Sequence, residues 1–369
     1  MAKHLHIISF NVPYPADYGG VIDVFYRIRS LHDAGVKIHL HCFQYGREVA
    51  KPLNELCEEV IYYKRSMSVL NQLSVKPFIV KSRANRKLLR NLLLNNYPIL
   101  FEGLHTCNYL THRKLADRIK IVRCHNIEHD YYTSLTRGVK SPLLSAYFKT
   151  EAAKLKRFEK NLEHATTIAA ISEEDKNYFS SKYGKTFLMR PCHPSMQVLA
   201  EEGSGEYILY HGDLSTPENI DSALFIIQDI VPGIKQKLII AGKNPSKKIT
   251  TAANQHNSIQ VIANPTHDEL QLLIAQAHVN LLPTRQATGF KLKLMNALHN
   301  GRFCVVTPEM VKGTGLETAC IVATSADEIC TILEDLMRTP FSEKDIEKRK
   351  ALLEPFSNNA SIAHLLQII

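Results

Sequence analysis

The sequence predicts an α/β protein built from two doubly wound domains, and three observations lead to this prediction. The chain has 369 residues, a length that favours two domains over one. Short apolar runs alternate with segments of helical periodicity, the pattern of parallel sheets that are covered by helices on both faces. The alternation breaks at the linker-like stretch Gly203, Ser204 and Gly205 and then restarts. We therefore expect domains over residues 1–198 and 206–341, with a helical segment over 342–369.

The first domain opens with a strand, a glycine loop and a helix. The apolar run HLHIISF is followed by DYGG, which contains Gly19 and Gly20, and then by VIDVFYRIRSLHDAG with helical spacing. A long helical pattern covers residues 142–164, and Ser172 is placed to cap the helix that follows it. Further strands are predicted at VKIHLHCF, YPILFEGL, IKIVRCHN and TTIAAIS.

The second domain repeats the same alternation. Helical patterns are predicted at PENIDSALFIIQDI, HDELQLLIAQA, LKLMNALHNG and SADEICTILEDLM. Strands are predicted at YILYHGDL, KLIIAGKNP, IQVIAN, HVNLLPT, RFCVVT and CIVAT. In open parallel sheets ligands bind beyond the carboxyl ends of the strands, so we expect the binding site in a crevice between the two domains.

The net charge of +9 is unevenly distributed. Residues 1–199 carry 30 Lys and Arg against 17 Asp and Glu, whereas residues 200–369 carry 15 against 19. The region from 60 to 101 has no acidic residue, and Leu and Phe residues are interleaved with its eight basic residues. This pattern indicates an amphipathic basic surface, which suits a solvated helical face or an anionic membrane surface. No nucleic-acid-binding motif accompanies it, so we do not expect a nucleic-acid partner. The basic residues are Lys64, Arg65, Lys76, Lys81, Arg83, Arg86, Lys87 and Arg90.

The cysteines and the apolar runs bear on the compartment. Eight cysteines are scattered without a C-x-x-C pair, as expected of reduced thiols in a cytosolic protein. The N-terminus does not have the zones of a signal peptide, and no run of 18 apolar residues occurs. We expect a cytoplasmic protein that can associate with the inner face of the plasma membrane.

The segment CHNIEHDYY contains a metal-ligand spacing. His125, Glu128 and His129 form H-x-x-E-H, which on one helix places two zinc ligands and a general base on a single face. However, IKIVRC before them has a strand pattern, so that His125 falls at the end of a strand. A zinc peptidase is therefore the least favoured hypothesis, and no metal ligand is predicted.

Two loops have the features of anion sites. Gly19 and Gly20 precede a helix whose first N–H groups would face an anion such as a diphosphate. In LLPTRQATGFKLK, Gly289 precedes a helix predicted to begin near Phe290, with Lys291 and Lys293 in its first turn. Cations at a helix N-terminus oppose the helix dipole unless an anion also binds there, so these lysines suggest a phosphate.

The motifs of the second domain resemble those of the GT-B retaining glycosyltransferases of family 4, the glycosyl transferases group 1. YHGDLSTPENI is similar to that family's G-x(6)-N segment through Gly212 and Asn219, and LIIAGKNP is similar to its strand and G-x-x-P segment. In the first domain, PYPADYGG, CHNIEHDYY and the following ISEED also resemble segments of the family. The nucleotide-sugar motif G-x-x-x-K-x-x-E-A-L-x-x-G-x-x-V-V-x-T is matched at Gly289, Lys293, Ala297, Leu298, Gly301, Val305, Val306 and Thr307, with Asn296 at the place of its Glu.

The resemblance implies a fold and an activity. The fold would be two Rossmann-like domains facing a central cleft, the first for the acceptor and the second for the nucleotide sugar, with 342–369 returning to the first. The activity would be hexosyl transfer, with retention, from a UDP- or GDP-sugar to a hydroxyl of a glycan or lipid-linked acceptor. Bacterial surface polysaccharide synthesis is the expected setting, without metal or another cofactor.

The resemblance also implies roles for individual residues. His125 and Lys293 are the expected catalytic residues, His125 contacting the donor sugar and Lys293 the leaving diphosphate. Lys243 and Arg285 would add positive charge to the donor site. The predicted donor-binding residues are Gly19, Gly20, Gly212, Lys243, Arg285, Thr288, Gly289, Phe290 and Asn296.

The sequence departs from the family's pattern in its donor loop. The family has an E-x(7)-E pair there, and this chain has Thr288 and Asn296 instead. Asn has one acceptor oxygen and a shorter reach than Glu, so at least one ribose hydrogen bond must be rearranged. Asp213 also stands where many members have an Arg that neutralises the diphosphate. These departures leave open an alternative function, a non-catalytic GT-B protein that acts as a binding or scaffold protein.

Overall fold

The computed structural model describes residues 2–136, 139, 141–285 and 292–369. These residues form two compact units. Unit 1 contains the described residues up to Pro194 together with Phe356–Ile369, and unit 2 contains the described residues between them. Each unit is an α/β layer structure with one parallel sheet, which confirms the predicted fold class.

The sheet of unit 1 has, in the described residues, seven parallel strands in the order β3-β2-β1-β4-β5-β6-β7. The direction of winding reverses between β1 and β4, which are neighbours in register from His6 with Ile99 to Ile8 with Phe101. The strands are β1 (His4–Ser9), β2 (Lys37–Gln44), β3 (Glu59–Lys64), β4 (Ile99–Glu102), β5 (Lys120–Cys124), β6 (Thr167–Ala170) and β7 (Thr186–Leu188).

Helices cover both faces of this sheet. One face buries Ile8 and Phe101 against α4, α6 and α7, and the other buries Leu5 and Ile7 against α1 and the last helix of the chain. Both-face burial explains why the central strands are continuous apolar runs in the sequence. The helices are α1 (Gly19–Asp33), α2 (Leu53–Leu56), α3 (Phe78–Lys81), α4 (Arg86–Leu92), α5 (Glu128–Leu135), α6 (Pro142–Glu159) and α7 (Glu173–Tyr183), with 3-10 turns at Val69–Leu73, Leu104–Tyr109, Arg113–Leu115 and Lys160–His164.

The sheet of unit 2 has six parallel strands in the described residues, in the order β10-β9-β8-β11-β12-β13. Here the winding reverses between β8 and β11. The strands are β8 (Tyr207–Asp213), β9 (Lys237–Lys243), β10 (Ile259–Ala263), β11 (Val279–Leu282), β12 (Phe303–Val306) and β13 (Ile321–Val322).

The helices of unit 2 follow the sequence pattern. Thr266 and Glu269 form a reciprocal capping box at the start of α10, and Ser325 caps α13. The helices are α8 (Pro217–Phe225), continued by a π-helical turn at Ile226–Ile230, then α9 (Lys247–Ala253), α10 (His267–Gln276), α11 (Leu292–Asn300), α12 (Pro308–Val311), α13 (Ala326–Leu336) and α14 (Glu343–Leu353), with 3-10 turns at Val231–Gly233, Glu317–Ala319 and Glu354–Phe356. The chain ends with α15 (Asn358–Ile368), whose Ile362 and Leu365 belong to the core of unit 1.

The acid-free region 60–101 does not form the single amphipathic surface that the sequence suggested. It folds into β3, a 3-10 turn, α3 and α4, and its basic side chains point in different directions. Arg83 is buried, Arg65 is half-buried, and Lys64, Arg86 and Lys87 are exposed. In the described residues, no helix combines the length and the apolar character needed to cross a bilayer.

Candidate active site

In unit 1, the predicted catalytic histidine lies where the sheet reverses its winding. Phe10 follows β1, Glu102 ends β4, and His125 follows β5, so these three residues lie at the carboxyl ends of neighbouring strands. The ring of Phe10 packs edge-on against the ring of His125, with 5.5 Å between the centroids. This edge of a parallel sheet is the usual place for a ligand.

Two buried carboxylates hold the ring of His125. Its Nε2 donates to Glu102 Oε2 at 3.0 Å, and its Nδ1 is 3.7 Å from Asp23 Oδ2. The side chain of His125 is 12% exposed, whereas those of Glu102 and Asp23 are 0% and 2% exposed. The histidine is therefore fixed from behind by buried acids and presents one edge of its ring towards solvent.

Two buried arginines balance these two acids. Arg27 donates to both Asp23 and Glu102, and Arg123 Nη2 donates to Asp23 Oδ2 at 2.9 Å. Burial acts to raise the pKa of Asp23, but the charges of Arg123 and Arg27 outweigh it and hold that pKa well below its usual value. The four side chains therefore form a compact ionised cluster under His125, which we call the buried ion cluster.

The C-terminal helix α15 supports the buried ion cluster indirectly, by holding residues 192 and 193, which lie close to Asp23. The backbone N–H of Cys192 donates to Asp23 Oδ1 at 2.8 Å. Asn358 of α15 accepts from the N–H of His193 and donates to its carbonyl, both at 2.9 Å. Helix α15 thus fixes the segment that hydrogen bonds to Asp23, which gives the last residues of the chain a structural role at this site.

The H-x-x-E-H segment does not have the geometry of a zinc peptidase. His125 precedes α5, which begins at Glu128, so His125 and His129 do not share a helical face. His129 Nδ1 hydrogen bonds to Glu159 Oε2 at 3.1 Å, whereas His125 hydrogen bonds to Glu102. The two histidines are thus engaged by different carboxylates, and the spacing reflects a strand end followed by a helix start.

Gly19 and Gly20 begin α1 and lie beside the same aromatic ring. A Cβ atom on Gly20 would come within 2.9 Å of Phe10 Cζ, so a larger residue here would displace the Phe10 ring. Since Phe10 also contacts His125, the structure brings the predicted glycine loop and the predicted catalytic histidine to one side of the sheet. Their contact with a donor remains a prediction.

In unit 2, Lys293 is held at the carboxyl end of β8. Its Nζ donates to Asn219 Oδ1 at 2.9 Å and lies 5.0 Å from the centre of the Tyr210 ring. Asn219 in turn donates to the Asp213 carbonyl at 2.9 Å, and the Tyr210 hydroxyl donates to Asn219 Oδ1 at 3.2 Å. Asn219 therefore fixes the position of the ammonium group.

Gly212 and Lys243 adjoin this lysine site. A Cβ atom on Gly212 would lie 3.0 Å from Asn219 Nδ2, so a larger residue would displace the asparagine that holds Lys293. Lys243 ends β9 in register with Asp213 and is exposed. Burial, and then the charge of Lys293, lower the pKa of His211 to about 3, so His211 is a neutral neighbour.

Of the other predicted donor-binding residues in unit 2, the structure describes Arg285 and Asn296. Arg285 lies with its guanidinium 5.4 Å from the centre of the Phe225 ring. The single acceptor oxygen of Asn296 receives a hydrogen bond from Asn300 Nδ2 at 2.8 Å, so one of its two lone pairs is already engaged. Thr288, Gly289 and Phe290 lie outside the described residues, as does Lys291.

The sequence analysis missed the residues that support the two predicted catalytic side chains. Asp23 and Arg27 lie four residues apart on the buried face of α1, and Arg123 and Glu102 lie within otherwise apolar strands. A charged residue inside an apolar strand is the signal that could have identified them, because buried charges are normally paired. Asn219 was matched to a motif, but its contact with Lys293 spans 74 positions of sequence.

Comparisons with known proteins agree with this architecture. Residues 205–338 match the model of the family described as glycosyl transferases group 1. A Klebsiella pneumoniae protein, described as an uncharacterized 44.6 kDa protein in the cps region, is 25% identical over 359 residues and covers 89% of each chain.

Among solved structures, TarM superposes with a TM-score of 0.71 at 11% identity, covering 100% of this chain and 99% of TarM. HepE from Anabaena, solved with UDP and glucose, superposes with a TM-score of 0.66 at 11% identity and full coverage of both chains. At such identities these superpositions show the fold alone. The chain therefore has the GT-B fold, and its residues 205–338 match the model of the glycosyl transferases group 1 family.

Proposed function

We propose that this protein transfers a sugar from a nucleotide diphosphate sugar to an acceptor hydroxyl with retention of anomeric configuration. The observation that carries the proposal is the ammonium of Lys293, fixed by Asn219 and Tyr210 at the carboxyl end of β8. A fixed positive charge stabilises a departing diphosphate more effectively than a mobile one, because it needs no reorganisation during the reaction. HepE, which shares the fold, was solved with UDP and glucose.

We also propose roles for the remaining predicted residues. His125, held by Glu102 and Asp23, would orient the donor sugar and share the transferred proton. The amides of Gly289 and Phe290 and the loop of Gly19 and Gly20 would add N–H donors for the diphosphate. On the front-face mechanism implied by the family, no protein nucleophile is needed, and we propose that the reaction does not require a metal.

We place the reaction in the synthesis of a bacterial surface polysaccharide, with a glycan or lipid-linked acceptor. The support is the relative from Klebsiella pneumoniae, which is described as lying in a cps region. The acceptor would bind to unit 1, whose described sequence is the basic part of the chain.

The first test is a thermal-shift panel with UDP, GDP, ADP and CMP in the presence of a chelator. A ligand that binds only the folded state stabilises it by about 2.7 kcal/mol at a hundredfold excess over its Kd. We expect one nucleoside diphosphate to raise the melting temperature without metal, which would also identify the base. Unchanged melting with all four nucleotides would contradict the donor site.

We also propose that unit 1 associates with an anionic membrane surface through residues 67–75, here called the apolar loop. Met67, Val69, Leu70, Leu73 and Val75 are between 50% and 82% exposed, although exposed apolar side chains of this size are seldom clustered. The loop is anchored on α6, since Lys154 Nζ donates to the Gln72 carbonyl at 2.6 Å. Basic residues flank the loop on both sides, and each contributes about 1 kcal/mol near anionic lipid.

Liposome flotation tests the membrane proposal. We expect recovery with vesicles containing phosphatidylglycerol to exceed recovery with phosphatidylcholine vesicles. The double variant Leu70→Ser, Leu73→Ser should bind the anionic vesicles about tenfold or more weakly, because each leucine contributes about 1.5 to 3 kcal/mol when fully buried. Leu94→Ser is the matched control, since Leu94 is 81% exposed outside the loop. Equal recovery with both vesicle types, or equal losses in both variants, would contradict the proposal.

A further inference from the structure

Two arginines of unit 1, Arg65 and Arg83, lie close together beside the predicted catalytic histidine. Arg83 is 5% exposed, and its Nε donates to the carbonyl of Phe10 at 3.0 Å while its Nη1 donates to the carbonyl of Ile79 at 2.7 Å. Arg65 follows β3, and its Nε donates to Ser82 Oγ at 2.9 Å. Both guanidinium groups therefore rest on the short segment from Ile79 to Arg83.

A chain of hydrogen bonds sets the separation of the two guanidinium groups. Ser82 Oγ, which accepts from Arg65, donates to the same Ile79 carbonyl that accepts from Arg83, at 3.3 Å. Arg65 also lies 4.5 Å from the centre of the Tyr45 ring, which is about half exposed and so borders solvent. These hydrogen bonds and the ring contact hold both arginine side chains in place, so their proximity is a fixed feature of the fold.

Within the described residues, no Asp or Glu lies within ion-pair distance of either arginine. Burial, and then the charge of Arg65, lower the pKa of Arg83 to about 9, and burial also lowers the pKa of Arg65. The Nη2 of Arg83 donates to no described residue. Two like charges kept together without a counterion are costly, so such an arrangement is typical of a site that binds an anion.

The nearest carboxyl group does not compensate this charge at neutral pH. Glu128 is buried, and burial raises its pKa to about 8 even though Arg83 opposes the shift. Its Oε1 is 3.8 Å from Nδ1 of His105, whose own pKa is lowered well below its usual value by burial and then by Arg83. Near pH 7 both groups are thus uncharged, and neither competes with an incoming anion.

Arg118 is a buried arginine whose hydrogen bonds indicate a structural role, and it provides a comparison for Arg83. Its Nε, Nη1 and Nη2 all donate to the backbone carbonyls of Leu92, Asn95 and Tyr97, and it precedes β5 at the opposite edge of the sheet. Arg83, in contrast, uses only two of its three nitrogens. It lies at the edge where Phe10 contacts His125.

We propose that Arg65 and Arg83 bind a phosphate group of the acceptor, so that the acceptor substrate is a phosphorylated sugar or a polyprenyl-diphosphate-linked sugar. This inference rests on the proposed transferase function and specifies its acceptor class. Two forked cations match the two charges of a phosphate monoester, or of a lipid-linked diphosphate, better than the single charge of a carboxylate. Bound there, the phosphate would hold the acceptor close to Phe10 and His125.

Binding of two probes to the full chain tests the proposal by isothermal titration. Glucose 1-phosphate represents a soluble sugar phosphate, and vesicles with a polyprenyl phosphate represent a lipid source, with uncharged polyprenol vesicles as their control. We expect at least one probe to bind the native protein, and Arg65→Gln to weaken this binding about tenfold to a hundredfold. Arg86→Gln, an exposed arginine of α4 in the same region, should bind as the native protein does. The probe that binds identifies the source of the phosphate.

Two further variants keep the test decisive. Arg83→Gln should weaken binding as Arg65→Gln does, and because Arg83 is buried its result counts only if urea unfolding shows a folded chain. Lys293→Gln should retain the phosphate probe, since Lys293 belongs to unit 2. Absence of binding by either probe, unchanged affinity in Arg65→Gln, or loss of binding in Lys293→Gln alone would overturn the proposal. After any of these three outcomes, a nucleotide should still raise the melting temperature of the native protein if the transferase function itself is right.

The pH dependence gives a readout that a purely structural arginine pair would not show. The charged and titratable groups that face Arg83 are Arg65, Glu128, His105, Tyr132 and Tyr18. Since Glu128 ionises as the pH rises through about 8, its negative charge should weaken phosphate binding between pH 7 and 8, below the pKa of about 9 at which Arg83 would lose its own charge. Glu128→Gln should reduce this loss of affinity, and an identical pH profile in that variant would contradict the placement of the phosphate beside Arg83.

Discussion

Replacing Asp23 by alanine is expected to lower the free energy of unfolding by about 3–5 kcal/mol, the usual result of removing one partner from a buried ion pair. Asp23 is 2% exposed and accepts hydrogen bonds from Arg27, Arg123 and the N–H of Cys192. Without it, the hydrogen bond of Arg123 to the carbonyl of Met189 is the one that remains among the described residues, and Glu102 alone is left to balance two buried arginines. Urea unfolding followed by circular dichroism measures the loss.

Two controls separate this effect from a general loss of charge. Asp33→Ala removes an exposed aspartate from the end of the same helix, and we expect a change within about 0.5 kcal/mol. In the double variant Asp23→Ala, Arg123→Ala, the cost should be less than the sum of the two single variants, because the second substitution removes the uncompensated charge. Strictly additive costs would mean that the two side chains do not interact.

The pH dependence of the Asp23 effect has a definite sign. The pKa of Asp23 is held below its unfolded value, so its stabilisation is present above about pH 4 and is lost only as the pH falls through the lower folded value. The difference between the native protein and Asp23→Ala should therefore be constant from pH 5 to 7. A difference that disappeared across this range would place the stabilisation on another group.

Most of the fold could be predicted from the sequence because the central strands are buried on both faces. Such strands, for example β5 and β9, are apolar runs that local pattern identifies directly. The edge strands β3 and β7 were missed, since β3 is half-exposed on most of its length and β7 has only three residues. Their pairing depends on the neighbouring strand, which a local pattern cannot show.

The candidate site was predictable only where its residues belong to a local motif. His125 and Lys293 were predicted from short segments. In contrast, the partners that hold them lie elsewhere in the sequence: Glu102 is 23 positions from His125, Asp23 lies on α1, and Asn219 is 74 positions from Lys293. The basic residues of region 60–101 show the same limit, because the sequence gives their charge but not which of them turn inward. Arg83 is buried, whereas its neighbour Arg86 is exposed.

Replacing Lys293 by glutamine is expected to reduce kcat/KM for the nucleotide sugar about 10²- to 10³-fold, the usual effect of removing one fixed stabiliser of the developing charge. The substitution keeps a polar side chain that can still hydrogen bond to Asn219, so the change is mainly the loss of the positive charge. Since the leaving group rather than the sugar is the proposed partner of Lys293, kcat should fall more than the affinity for the free nucleotide. Steady-state kinetics measures this with the donor whose nucleotide raises the melting temperature.

Asn219→Ala separates the charge of Lys293 from its position. That variant retains the ammonium but removes the oxygen that receives its hydrogen bond at 2.9 Å, so the charge must be reoriented during the reaction. We expect a smaller fall in kcat/KM, about tenfold, because preorganisation is lost while the charge remains. Lys248→Gln on α9 is the control for net charge, since Lys248 is exposed in the same unit. If Lys293→Gln and Lys248→Gln had equal effects, general electrostatic attraction of the donor would explain both. A full loss in Asn219→Ala with none in Lys293→Gln would instead assign the catalytic contribution to the asparagine.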